Sequence, residues 1–201
     1  MEHPAKPSLS PRLIVLASQS PRRAELLTQV GLAYRVQAAH VDERVMPGEP
    51  AADYVRRIAV AKARAVRRDH PEQPVIGADT AVILDDAILG KPADEADGIA
   101  MLLRLAGRTH SVLTGVALVT DRIAYRLNTS RVRFREIDPT EAAAYWETGE
   151  PVDKAGSYAV QGLAAVFIER IEGSYSGIMG LPLFETMQIL NTIGVYSRAG
   201  V

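Results

Sequence analysis

Two serines, a proline and two adjacent arginines crowd the segment Leu16-Ala17-Ser18-Gln19-Ser20-Pro21-Arg22-Arg23. Leu13 to Ala17, just before them, read as a buried strand. Ser20 suits the N-cap of a helix, Pro21 its first position, and Gly31 the residue just past its end. Free backbone N–H groups and the positive end of the helix dipole gather at such a turn, so an anion is its natural guest. A phosphate site at residues 18–23 is the first expectation.

Other residues stand out against their surroundings. Lys62 lies seven residues after Val55 and four after Ile58, on the apolar stripe of a helix that also carries Ala59 and Val66. A lysine there either meets an anionic partner or snorkels from the edge of the core. Arg57, Arg64 and Arg68 fall on another face and read as solvated charge. Asp79 interrupts the strand-like run Val75 to Leu84. A carboxylate inside a strand wants a cation, a metal or several donors, unless it marks a turn at the strand end. Lys91 sits between Gly90 and Pro92, and the proline keeps it out of helical geometry. It points into a cleft or is an ordinary loop lysine. Glu43, in Val41-Asp42-Glu43, is an exposed acid unless Asp79 is near; if so, the two carboxylates would hold a divalent ion, with magnesium suited to oxygen ligands, water and phosphate. His3, His40, His70 and His110 show no zinc spacing. Asp153 to Gly162 is rich in small and hydrogen-bonding residues, and Gln161 offers the donor and acceptor that reading a base edge requires. Gly173 to Gly177 and Gly180-Leu181-Pro182 form a loop-rich segment, either a second wall of the site or a cap on the last helix.

The elements that must position these residues alternate along the chain. Strands are expected near 34–38, 74–84, 87–89, 111–120, 122–134 and 164–171. Helices are expected after Ser20, near 51–68, after Asp94, after Asp138 with capping-box chemistry, and near 183–193. Asp85-Asp86 suits a tight turn, and residues 111–134 suit a long antiparallel pair. The mixture predicts an α/β fold with a mixed twisted sheet flanked by helices. Residues 1–11, polar and with three prolines, read as a flexible tail, and 12–197 as a single domain. The chain has 201 residues, 47% apolar and 23% charged, with a net charge of −1. That balance gives no general attraction to nucleic acid or an anionic membrane, so anion binding must come from local clusters. No cysteine is present, which excludes disulfides, thiolate metal sites and a cysteine nucleophile. No apolar run is long enough to span a membrane, and a cytoplasmic protein is expected. The Walker A, Gly-x-Gly-x-x-Gly and Gly-x-Ser-x-Gly motifs are absent.

In order, LASQSPRR, VDE, AKARA, GADT, GKP, LTG, DKAGSYAVQG and GSYSGIMGLPL resemble the Maf family, the septum-formation-inhibitor-like nucleotide pyrophosphatases, over about residues 13–195. The resemblance implies a fold related to the inosine triphosphate pyrophosphatase group, with two lobes around a cleft. It implies hydrolysis of a nucleoside triphosphate to monophosphate and pyrophosphate with a divalent metal, Mg2+ or Mn2+, and homodimers. Arg22, Thr80 and Gln161 are similar to the dTTP/UTP branch. The 7-methyl-GTP branch typically has SPWRR, GSDQ and a glutamate near position 161. Gln19 departs from the family's frequent glycine or threonine. By this resemblance, Ser18, Arg22 and Arg23 hold the triphosphate, and Lys62 and Lys91 neutralise its oxygens. Glu43 and Asp79 bind metal, Asp79 also activates water, and Thr80 and Gln161 read the pyrimidine. The rivals are a pyrophosphatase for 7-methyl-GTP or another modified nucleotide, and a nucleotide-sensing regulator of cell division. A sensor has no need of a water-activating group.

Overall fold

The structure is a computed structural model and describes residues 13–194. The expected tail at 1–11 lies outside the described residues. Along the chain run β1 (Ile14–Ala17), α1 (Pro21–Gln29), β2 (Tyr34–Gln37), α2 (Ala51–Arg67), β3 (Val75–Leu84), β4 (Ala87–Leu89) and α3 (Glu95–Leu105). Then follow β5 (Thr109–Val119), β6 (Ile123–Phe134), α4 (Pro139–Glu147), β7 (Ile168–Glu172), α5 (Tyr175–Met179) and α6 (Leu183–Asn191). The sheet order is β2-β1-β3-β5-β6-β7, with β4 also paired to β3. β1 is parallel to β2 and β3, whereas β3, β5, β6 and β7 run antiparallel in succession, so the sheet is mixed as expected.

One irregularity of this sheet creates the site. β1 pairs with β3 only as far as Ala17↔Gly77, and β4 begins to pair with β3 at Val82↔Leu89. Between them, residues 78–81 have no strand on that edge. A notch opens there, and side chains from both faces of β3 can reach it. Side chains alternate across a strand. Gly77 and Asp79 face α2, while Ile76, Ala78 and Thr80 face the layer of α1, α5 and α6. Gly77 has to be glycine. A Cβ there would collide with the carbonyl oxygen of Ala59 and lie 2.8 Å from the nitrogen of Ala63, so its absence lets α2 lie directly on β3.

Separate apolar clusters flank the notch. One gathers Val82, Leu89, Leu102, Val112, Phe134, Tyr145, Tyr158 and Phe167, with edge-to-face rings at its centre. The other side holds Ile14, Leu16, Leu27, Ile76, Val116, Leu181 and Ile189, with a smaller group of Val15, Ala63, Val66 and Val75 under α2. These are the two lobes. The register of β5 with β6, Thr109↔Arg133 to Val119↔Ile123, is the expected long antiparallel pair. Asp85 and Asp86 both take positive φ, 49° and 64°, as a two-residue hairpin of the right twist demands. Asp94 and Asp138 cap α3 and α4, and the capping box with Glu141 is complete.

Four local expectations are corrected. Ser20 occupies the N-cap position of α1, but its side chain makes no capping bond; its N–H instead donates to Ser18 Oγ at 3.1 Å. The expected strand 164–171 begins as a 3-10 helix, Leu163–Phe167, and only Ile168–Glu172 is extended. The Glu150 carboxylate accepts from the N–H groups of Leu163 and Ala164, which favours the turn over the ladder. The glycine-rich segment after 173 is not all loop. Ser174 accepts from the N–H of Gly177 and caps the short helix α5. Arg57 is not free in solvent: it pairs with Glu49 at 2.6 Å.

Candidate active site

A cavity of about 770 Å³ fills the notch, and all nine candidate residues line it: Ser18, Arg22, Arg23, Glu43, Lys62, Asp79, Thr80, Lys91 and Gln161. Six of them join into two bonded networks. The other three, Arg22, Lys91 and Gln161, face the same space without a side-chain bond to the rest.

The first network is ionic. Lys62, on the buried stripe of α2, reaches Asp79 Oδ1 at 2.8 Å and Glu43 Oε2 at 3.0 Å. The snorkelling alternative is therefore set aside, because the side chain is 9% exposed and its ammonium sits between two carboxylates. Asp79 is buried as well, and its second oxygen, Oδ2, has no hydrogen-bond partner. Burial pushes the Asp79 carboxyl above the ordinary range, while the charges of Lys62 and Arg23 pull against that rise. Glu43 comes from the 41–50 loop, and that loop is pinned. Tyr54 donates to Glu43 O at 3.1 Å, Arg57 donates to Arg44 O at 3.0 Å, and Glu49 accepts from both Arg57 and Met46 N. The Tyr54 hydroxyl is pushed up by burial, then by the nearby Asp79 and Glu43, so it remains a donor.

The second network orients Arg23. Its Nε donates to Gly180 O at 2.7 Å, its Nη1 to Ser18 Oγ at 3.2 Å and its Nη2 to Thr80 Oγ1 at 3.5 Å. Thr80 stands opposite Thr114 in the β3–β5 register, with the two hydroxyls 2.9 Å apart. Thr114 donates its single proton to Gly177 O at 2.7 Å, and a carbonyl cannot donate back. Thr80 must then donate to Thr114, so toward Arg23 and the cavity it offers only lone pairs. A chain of fixed polarity thus runs from the arginine through two threonines to the Gly177 carbonyl of α5.

Thr114, Tyr54 and Gly180 support the site; Tyr54 was not singled out from the sequence, Thr114 entered only within the LTG motif, and Gly180 only as part of a segment that could be a second wall, which it is. Thr114 carried a weak signal, a hydroxyl within the otherwise apolar stretch 112–119 of β5. Nothing local assigns a role to the Gly180 carbonyl, which matters because α5 brings it to Arg23. The donor set also bears on a metal. The unpartnered Asp79 Oδ2 and the half-exposed Glu43 carboxylate are hard oxygen donors on one cavity wall, which suits a divalent ion that keeps several waters. No group of three or more His, Cys, Asp or Glu converges among the described residues. The remaining ligands would be water and substrate oxygens.

The Maf-like protein family model matches residues 13–193. A dTTP/UTP pyrophosphatase of Alkalilimnicola ehrlichii is 54% identical, with 92% of this chain and 95% of that protein covered. A protein of the same name from Hahella chejuensis is 51% identical, with 92% and 94% covered. Among solved structures, the Staphylococcus aureus Ham1 protein superposes with a TM-score of 0.50 at 12% identity, over 90% of this chain and 97% of that one, a likeness of fold. By the family model and by these identities over nearly its whole length, the chain belongs to the Maf-like protein family.

Proposed function

We propose that this protein hydrolyses dTTP and UTP to the monophosphate and pyrophosphate. The observation that carries the reading is the buried Asp79 with one oxygen held by Lys62 and the other unpartnered, in a cavity also lined by Arg22, Arg23 and Lys91. Relatives at 54% and 51% identity bearing the dTTP/UTP pyrophosphatase name support the substrate class.

In this reading Ser18, Arg22 and Arg23 hold the triphosphate, with the Arg23 fork already oriented by three acceptors. A water oxygen attacks the α-phosphorus and gives its proton to the Asp79 carboxylate, and the bond from the α-phosphorus to the bridging oxygen breaks as pyrophosphate departs. A carboxyl raised by burial is a better proton acceptor than a solvated one. Lys62 fixes the carboxylate and, with Lys91, neutralises charge that grows on the phosphate oxygens. A divalent ion, Mg2+ or Mn2+, would be held by Asp79 and Glu43 and would supply further charge neutralisation on those oxygens. Thr80, as an acceptor, and Gln161, at the exposed rim, face the base. The setting we infer is cytoplasmic removal of unwanted nucleotides. No helix of the described residues is long and apolar enough to cross a membrane.

The test is a panel of dTTP, UTP, CTP and 7-methyl-GTP with Mg2+, read for pyrophosphate and orthophosphate separately. Pyrophosphate from dTTP and UTP is expected. Orthophosphate release, preference for 7-methyl-GTP, or binding without turnover overturns the reading.

A further inference from the structure

The chain has four lysines, Lys6, Lys62, Lys91 and Lys154, against nineteen arginines. Three of the four line the one cavity just described. Lys62 has its counter-charges in contact, but Lys91 and Lys154 do not. Among the described residues, no carboxylate lies within 4 Å of Arg22, Lys91 or Lys154. The Glu150 carboxylate is occupied with Tyr145, Leu163 and Ala164. Lys154 Nζ has only the carbonyl of Val152, 3.1 Å away in its own turn.

The backbone holds Lys154 at this spot at some cost. Asp153 before it and Ser157 after it both take left-handed φ, 64° and 61°, which non-glycine residues rarely adopt. Gly156 also has positive φ, and its N–H donates to Gly90 O at 3.0 Å. That bond joins the Lys154 turn to the corner that presents Lys91. Two lysines from distant parts of the chain are thus fixed beside one another and beside Arg22. Burial and then Arg22 lower the Lys154 ammonium, Asp153 and Glu150 pull against that without touching it, and Lys91 adds a smaller lowering, so the three cations lie within electrostatic reach. A lysine ammonium is a compact charge that follows a phosphate as it moves, where an arginine fork would lock one geometry.

We propose that Lys154 is a substrate-binding residue that grips the pyrophosphate portion of the substrate together with Lys91 and Arg22. The cavity then carries carboxylates and Lys62 at the β3–α2 wall and, elsewhere in its lining, three cations with no carboxylate in contact. The inference rests on the pyrophosphatase reading for the name of its ligand, but the site itself is for a linear polyphosphate.

Two measurements test it. The wild-type protein is treated with an amine-acylating reagent, with and without inorganic tripolyphosphate, and the labelled lysines are mapped by mass spectrometry. Tripolyphosphate is expected to slow labelling of Lys154 and Lys91, and thymidine is expected to leave Lys154 unaffected. Lys154→Met should weaken inhibition by pyrophosphate about tenfold, as the loss of one charge-assisted contact implies, and Lys154→Arg should restore most of it. Unchanged labelling of Lys154, or wild-type pyrophosphate inhibition in Lys154→Met, overturns the proposal. Protection of Lys91 but not Lys154 overturns it while the pyrophosphatase reading stands. No pyrophosphate release from dTTP by the wild type overturns that reading instead.

Discussion

Asp79→Asn and Lys62→Met should both abolish turnover, yet they should differ sharply in stability. The two side chains share one 2.8 Å contact, but their other surroundings are unlike. Asp79 carries an unpartnered oxygen, and burial raises its carboxyl. A raised folded-state value means that the native state binds more proton than the unfolded chain, whose aspartate titrates near ~3.9. Stability is therefore lost as the pH rises through the folded value, and asparagine carries no such cost. After Asp79→Asn, Lys62 still meets Glu43 at 3.0 Å and can donate to the amide oxygen. The lost charge assistance and the relieved desolvation oppose each other, leaving a net change of about 1 kcal/mol or less. Lys62→Met leaves a buried carboxylate without its cation, which costs about 3–5 kcal/mol. Glu43, 44% exposed, offsets little of this. For a domain of this size, 1 kcal/mol moves the melting temperature by roughly 2–4 °C. Asp79→Asn should then melt within about 4 °C of the wild type, and Lys62→Met about 6–20 °C lower. Loss of the proton acceptor should cut turnover by about 10²–10⁴, or roughly 3–5 kcal/mol of barrier. Thermal melts by circular dichroism and continuous pyrophosphate release provide the two readings. An Asp79→Asn protein as unstable as Lys62→Met would show that Asp79 acts as a structural ion pair. Near-normal turnover would remove it from the chemistry.

Three further perturbations test other parts of the argument. Thr114→Val breaks the polar chain behind Arg23, so KM for the triphosphate should rise several-fold and Thr114→Ser should restore it; an unchanged KM would show that Gly180 and Ser18 alone hold the arginine. Gly77→Ala drives a methyl into the backbone of α2 and should cost about 3 kcal/mol or more by urea denaturation, and a wild-type midpoint would refute the close approach. His110 is buried against Phe134 and Tyr158, and burial lowers it to about 4. The unfolded chain takes up this proton first, so stability should fall by about 3 kcal/mol as the pH drops from ~6.5 to ~4. His110→Gln should flatten that acid limb of melting temperature against pH, and an unaltered limb would place the acid sensitivity elsewhere.

Much of the site was legible because its residues contradict their local pattern. Lys62 breaks an apolar helical stripe, and Asp79 breaks an apolar strand. Each violation is tolerable only if the two meet, and they do. The starts of α3 and α4 were readable for a local reason, since a capping aspartate and the N–H groups that donate to it lie within three residues. Segment 164–171 was misread because its apolar run suits a strand, while the deciding partner, Glu150, lies outside the run.

By itself, then, the sequence determined which residues are out of place and how the helices and strands alternate, because periodicity and capping are short-range properties. Tertiary structure alone decided that β1 stops at Ala17 while β3 continues to Leu84, which opens the notch and lets both faces of one strand serve one cavity. It also decided the polarity of the Thr80–Thr114 chain and the meeting of Lys91 with Lys154. Those depend on a carbonyl of α5 and on a backbone bond between Gly156 and Gly90, groups that every residue carries and no side-chain pattern reveals.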